Sequence, residues 1–164
     1  MRADTPPAEL ILPEAPIRRA CVVLLGGQSF AVDAADAREV VALDETTPVP
    51  GAPAAVVGVM NLRGGVLPVV EARSLLGLPP RLGGAERGHA LVLADGDRRA
   101  AVRIDRVLGL APLEEVRPPA EADATGLAVG EITLEPGGRA TLLDARAVLA
   151  ALRRPWESAP GGSR

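Results

Sequence analysis

One unit occurs twice in this chain, and any fold must accommodate both copies. The first runs from Gly58 to Leu78, GVMNLRGGVLPVVEARSLLGL. The apolar runs Val56 to Leu62 and Val66 to Val70 are short and rich in valine, which favours strand over helix. Arg63-Gly64-Gly65 between them predicts a tight hairpin turn, with the glycines supplying positive backbone angles. Pro68 cannot donate to a ladder, so its N–H side should face outward or lie at a bulge. Glu71 to Leu76 predicts a short helix, with Gly77 at its C-terminal cap. The second copy is Gly130 to Leu152, GEITLEPGGRATLLDARAVLAAL. Gly58 aligns with Gly130, Leu62 with Leu134, Gly64-Gly65 with Gly137-Gly138, and Glu71-Ala72-Arg73 with Asp144-Ala145-Arg146. One extra residue in the Glu135-Pro136 turn restores the register.

The stretches leading into the two units also match. In the first half, Arg19 to Leu25, Ser29 to Val32 and Arg38 to Leu43 read as strands, separated by Gly26-Gly27 and by a turn at Asp33 to Asp36. Thr46 to Gly51 is an extended connection, because each proline pushes its predecessor into extended geometry. In the second half, His89 to Ala94, Arg99 to Ile104 and Val107 to Leu110 are the strands. Asp95-Gly96-Asp97 is a hairpin turn, and Leu113 to Pro119 an extended connection. Pro79 to Gly88 is the boundary between halves. The expectation is a duplicated β architecture with about five strands per half. The domain spans 18–154, with one half over about 18–80 and the other over about 88–152. A flexible proline-rich arm (1–17) and a flexible tail (155–164), which holds Trp156, flank it.

The 164 residues suffice for one domain or for two small lobes sharing a core. A net charge of −3 argues against nucleic-acid binding, which needs a basic face. Phe30 and Trp156 are the only aromatic residues, so the core is built from aliphatic side chains and base-stacking platforms are missing. All 18 basic residues are arginine, which removes lysine-dependent catalysis. Cys21 is the single cysteine and sits in an apolar strand, which reads as a small buried hydrophobe; no internal disulfide or zinc site follows. The N-terminus lacks the pattern of a signal peptide, and no apolar run approaches the ~18 residues needed to span a bilayer. These features predict a cytoplasmic protein without membrane insertion.

No active site can be assembled. His89 is the one histidine, at the junction of loop and strand, and no nucleophile–base–orienter set forms without it. The carboxylates Asp33, Asp36, Asp95 and Asp97 sit where turns and caps need them, too few for a calcium loop. No catalytic residue, metal ligand or cofactor is expected, and binding is the expected task. Two charges stand out: Glu39 lies in mid-strand and Arg63 between an apolar strand and a turn. Spacing alone leaves them either as an ion pair across a barrel or as two unrelated surface charges.

The stretches GGQSFAVDAADAREV (Gly26 to Val40), TPVPGAPAAVVGVMNLRGGVLPVVEAR (Thr47 to Arg73) and AAVRIDRVLGL (Ala100 to Leu110) resemble the CheW-like coupling domain of bacterial chemosensory systems. The most specific block is Gly58 to Gly64, with Gly58, Asn61 and Gly64 as its signature positions. The Val-x-x-Asp-x-Val spacing matches Val102, Asp105 and Val107. The resemblance covers residues 18–152. It departs from the family at the small residues Ala34, Ala35 and Ala37, at Gly65, and in a short Gly126 to Ile132 connection.

The resemblance implies an all-β fold of two five-stranded SH3-like barrels, the first over about 18–80 and the second over about 88–152, with a few short helices and a shared apolar core. It implies a non-enzymatic adaptor that links the cytoplasmic tips of methyl-accepting chemoreceptors to the regulatory domain of a CheA-type histidine kinase. Other CheW-like domains join such adaptors in rings, and the arrays recruit the adaptor. The receptor tip, a helical hairpin, is expected in an apolar groove formed by Val40, Val41, Val59, Val107 and Leu108. Glu39 and Arg63 match the family's glutamate and signature arginine, which implies that they pair. The alternatives are a divergent adaptor that binds receptor without kinase, and a small-ligand-binding β-barrel built around His89 or the acidic turns.

Overall fold

The computed structural model describes residues 17–81, 88–119 and 125–157, with side chains described to residue 152. The proline-rich stretch before residue 17, the loop at 82–87, the polar loop at 120–124, the tail from residue 158 and the Trp156 side chain lie outside the described residues. The elements run β1 (Arg19–Leu25), β2 (Gln28–Asp33), β3 (Ala37–Leu43), β4 (Val56–Leu62), β5 (Gly65–Val70), β6 (Gly88–Asp95), β7 (Arg98–Ile104), β8 (Arg106–Pro112), β9 (Ala128–Leu134), β10 (Gly138–Leu143) and α1 (Ala145–Glu157). Strand boundaries follow the valine-rich runs to within a residue or two.

The strands form two five-stranded sheets, ordered β8-β1-β2-β10-β9 and β3-β6-β7-β5-β4. Shifting every element of the second order by one half-chain reproduces the first, so the duplication read in the sequence is structural. Sheet membership, however, does not follow the expected halves at 18–80 and 88–152. Each half gives its first hairpin, β1–β2 or β6–β7, to the other half's sheet. The crossings are the corners: Ala34 to Asp36 separate β2 from β3, and Asp105 alone separates β7 from β8, and at each the chain passes into the neighbouring sheet.

Each sheet closes on itself through the chain that leaves its edge strand. Beyond β3, Thr47 exchanges two backbone hydrogen bonds with Val59 of β4, at 2.9 and 2.8 Å. Beyond β8, Arg117 does the same with Glu131 of β9, at 2.9 and 2.8 Å. The aligned glycines Gly58 and Gly130 precede these bridges for a steric reason. A Cβ on Gly58 would lie 2.4 Å from the Thr47 carbonyl oxygen, and one on Gly130 2.5 Å from that of Arg117.

The exchanged hairpins are buried on both faces, so they read as continuous apolar runs rather than alternating ones. On β1, Ala20 and Val22 face a cluster inside their own barrel, with Ala31, Ile132 and Leu142. On β6, Ala90 and Val92 face the matching cluster, with Leu43, Leu67 and Val69. Cys21, Val23, Leu91 and Leu93 point the other way, into a third cluster between the sheets. Phe30, Val102, Leu127, Val148 and Leu149 join them there. Each such side chain contributes about 1.5–3 kcal/mol when fully buried.

The two copies of the repeated unit end differently. The helix expected over Glu71 to Leu76 is a single turn. Gly77 adopts a left-handed φ of 69°, and the Leu78 N–H donates to the Arg73 carbonyl at 2.8 Å. These are the closing bonds of a helix C-terminus, arriving after one turn. In the second copy Ala150 replaces Gly77, and α1 continues to Glu157, beyond the residue 155 at which the tail was expected. Asp144 caps α1, accepting from Arg146 N–H at 3.0 Å. Between Val49 and Val56 the chain makes a pair of turns, closed by Ala52 N–H donating to the Val49 carbonyl and Val56 N–H to that of Pro53.

Candidate functional site

The hairpin at the head of the first unit has two turn residues. Leu62 pairs with Gly65, leaving Arg63 at φ 51° and Gly64 at φ 82°. Two positive angles in succession mark a type I′ turn, which suits the twist of the flanking strands. The expected Gly-Gly pair does not supply both. Arg63 takes the first left-handed position, and Gly65 already belongs to β5. Asn61 steadies the turn by accepting from Gly64 N–H at 2.9 Å.

From that turn Arg63 reaches Glu39. Its two terminal nitrogens each donate to one carboxylate oxygen, both at 2.6 Å. Glu39 lies on β3 and Arg63 on the loop beyond β4, the two edges of one sheet, so the ion pair bridges the barrel seam. The hydrogen bonds and charge of Glu39 raise the pKa of Arg63. The pair is exposed, with the Arg63 side chain at 74% and that of Glu39 at 26%. It therefore adds little to stability, and its value is a fixed guanidinium on the surface.

The five apolar positions expected in one groove separate. Val40 is 38% exposed on edge strand β3, and Val107 and Leu108 are 39% and 41% exposed on edge strand β8. Val41 follows Val40 on the opposite face of β3 and packs against the interior cluster of its barrel. Val59 lines a different groove of about 610 Å³, between β4, β5, β7 and α1, together with Pro68, Ala100 and Leu152. Adjacent strand residues point to opposite faces, so Val40 and Val41 never shared a surface. Leu110, 61% exposed on β8, was missed although it lies in the same apolar run.

A partly buried ion cluster was also missed. Asp105, at the β7–β8 corner, accepts from Arg73 at 2.9 Å and Arg81 at 3.1 Å, and its other oxygen accepts from Gly26 N–H at 2.9 Å. Glu71 lies 3.5 Å from the Nε of both arginines, an approach too poorly aligned for hydrogen bonds. Arg73 is buried and also donates to the Pro79 carbonyl at 3.3 Å. Burial, and then the like charges of Arg81 and Arg73, lower the pKa of nearby Arg103. The cluster ties the segment after β5 to the β1–β2 turn of the other sheet. Its sequence signal was the Asp105 of the Val-x-x-Asp-x-Val spacing.

His89 is exposed on β6. Cys21 is buried and desolvation raises its thiol pKa, which keeps it protonated and unreactive at neutral pH. Among the described residues no group of three or more acidic, histidine or cysteine side chains is placed to hold a metal ion, and no helix is long and apolar enough to cross a membrane.

Comparison with known proteins places this geometry. The sequence profile of the CheW-like domain matches residues 19–153. The chain is similar to the chemotaxis protein CheW of Rhizobium meliloti (strain 1021), 46% identical over 54 residues, covering 33% of this chain and 35% of that protein. It is also similar to a probable chemotaxis protein CheW of Rhizobium etli, 35% identical over 75 residues, covering 46% of this chain and 47% of that protein. The aligned stretches thus span about a third to a half of these curated relatives. The scaffolding protein TtCheW of Thermoanaerobacter tengcongensis shares the fold, with a TM-score of 0.68 at 22% identity over 78% of this chain and 89% of that one. A profile match over most of the chain and the same two-sheet fold show that it belongs to the CheW-like domain family, a family of non-enzymatic scaffolds.

Proposed function

We propose that this protein is a chemosensory coupling adaptor that holds a chemoreceptor's cytoplasmic tip and the regulatory domain of a CheA-type histidine kinase together in the cytoplasm. The observation that carries the reading is the bidentate Glu39–Arg63 pair, on the same edge strand as exposed Val40. A fixed guanidinium on the β3–β4 seam and an exposed valine on the opposite face of β3 are two separate contacts for an amphipathic helical hairpin, one polar through Arg63 and one apolar through Val40. Val107 and Leu108 offer the matching apolar edge on the other sheet, whereas Val41 and Val59 serve the barrel interior and a separate groove. No step of this task needs a catalytic group. Weak single contacts become firm when a lattice of receptors and kinases repeats them.

The test is a titration of the purified protein against a receptor-tip fragment and, separately, against the kinase regulatory domain. Binding to both, with the receptor arm weakened by Arg63→Glu and Val40→Asp, is the expected outcome. Binding to the receptor alone identifies an adaptor that insulates or competes with the kinase. Binding to neither overturns the reading.

A further inference from the structure

The two barrels are built alike but their seams are not. On the β3–β4 side, Glu39 pairs with Val92 of the neighbouring strand just after a bulge at Arg38, and it holds Arg63 across the seam. On the β8–β9 side, the equivalent position, which pairs with Val22 just after a bulge at Leu108, is Gly109. The equivalent hairpin turn is Glu135-Pro136-Gly137, between Leu134 and Gly138. One seam thus has a glutamate opposite an arginine, and the other a glycine opposite a glutamate. No clamp forms there, and a groove of about 580 Å³ lies open along the seam.

Leu108, Leu110 and Ala111 of β8 form one wall of this groove, and Ile132 and Leu134 of β9 the other. Among the described residues its charged lining is Glu114, Glu115 and Glu135, with no cation. Of the nearby arginines, Arg18 pairs with Asp33 and Arg139 approaches Glu131 at 3.8 Å, while Arg19 lies beside Pro112 and Arg117 beside Glu131 in the strand register, outside the groove lining. Both flanking strands are sheet edges, and away from the Arg117–Glu131 bridge they offer backbone hydrogen-bonding groups to an incoming strand. The first barrel shows what covers such a seam, namely a guanidinium held by a carboxylate.

We propose that the β8–β9 seam is a docking surface for an extended segment of a partner protein that alternates apolar side chains with arginine or lysine and so supplies the missing cation. Apolar side chains fill the leucine-lined groove, and the cation meets the glutamate rim. This surface is separate from the Glu39–Arg63 pair and shares only Leu108 with the apolar edge of the receptor reading, so its test uses Leu110 and the glutamates instead.

The probe is a twelve-residue peptide alternating valine and arginine, compared with its valine and glutamate counterpart. Amide resonances of the full chain are followed during titration at low salt. The arginine peptide is expected to shift resonances of β8, β9 and Glu114-Glu115, with affinity falling as salt rises. The glutamate peptide is expected not to bind. Replacing Glu114, Glu115 and Glu135 together by glutamine is expected to weaken binding about tenfold while the remaining spectrum stays native. Leu110→Asp weakens it through the apolar wall, and Glu45→Gln, far from the groove, leaves it unchanged. Equal binding of both peptides, shifts confined to another surface, or an unaffected triple variant overturns the proposal. So does absence of binding at millimolar peptide.

Discussion

Glu39 and Arg63 stand 24 residues apart in the chain and meet across a barrel seam through two hydrogen bonds of 2.6 Å. The contact needs Arg63 in a left-handed conformation that only glycine adopts without cost. A backbone cost set against an exposed ion pair is a poor stability device, and it points to a surface role. Arg63→Gly relieves the backbone while removing the charge. Its expected result is an unfolding midpoint at or above that of the parent, with receptor-tip binding about tenfold weaker. Calorimetry and the titration described above read the two effects separately.

Gly58→Ala and Gly130→Ala place a methyl group against the carbonyl oxygens of Thr47 and Arg117. Backbone atoms that close a barrel cannot yield as a flexible side chain would. Each substitution is expected to destabilise by about 2–3 kcal/mol in urea unfolding, and the pair by roughly the sum, because the sites lie in different barrels. Gly64→Ala, where open space surrounds the Cβ, is milder and acts only through its φ of 82°.

Asp105→Ala removes the acceptor shared by Arg73, Arg81 and Gly26 N–H. Arg73 then stays buried with its main acceptor gone. The expected loss is about 3 kcal/mol. Arg73→Met, which removes the charge and keeps the bulk, is expected to cost less.

Asp33 accepts from Ala35 N–H at 3.0 Å and pairs with Arg18, and these contacts lower its pKa, the backbone hydrogen bond most. A lowered folded-state pKa means stability that is present above the ordinary carboxylate range and lost as pH falls through the folded value. Asp33→Asn is therefore expected to melt below the parent at pH 7. The difference closes as both are taken to acid, and a series of melts between neutral pH and about pH 2 tests it.

Neither half of the chain holds a whole sheet. A fragment ending at residue 84 is expected to remain unfolded by circular dichroism, and so is its complement. Mixing them is expected to restore the native spectrum, because each carries the hairpin that the other sheet lacks.

The sequence made every strand legible, because the valine-rich runs and the Gly-Gly and Asp-Gly turns punctuate it locally. The duplication and the signature block were legible for the same reason. The hairpin exchange was not, since strand patterns encode which faces are buried and not which strand lies alongside. The length of the last helix of each unit turned on one position, Gly77 against Ala150, which the expectation of two alike helices overlooked. Val41 was placed in the receptor groove by the family resemblance, although a period of two sets it opposite Val40. The Asp105 cluster gathers residues 26, 71, 73, 81 and 105, and no local pattern joins them.

The exchanged hairpins also set the size of the cooperative unit. Loss of either barrel uncovers the apolar cluster that Cys21, Val23, Leu91 and Leu93 share between the sheets, so melting should show one transition. A partner gripping the rim of one barrel then raises the unfolding temperature of the whole chain. The short corners at Ala34 to Asp36 and at Asp105 are the routes by which a load on one lobe reaches the other.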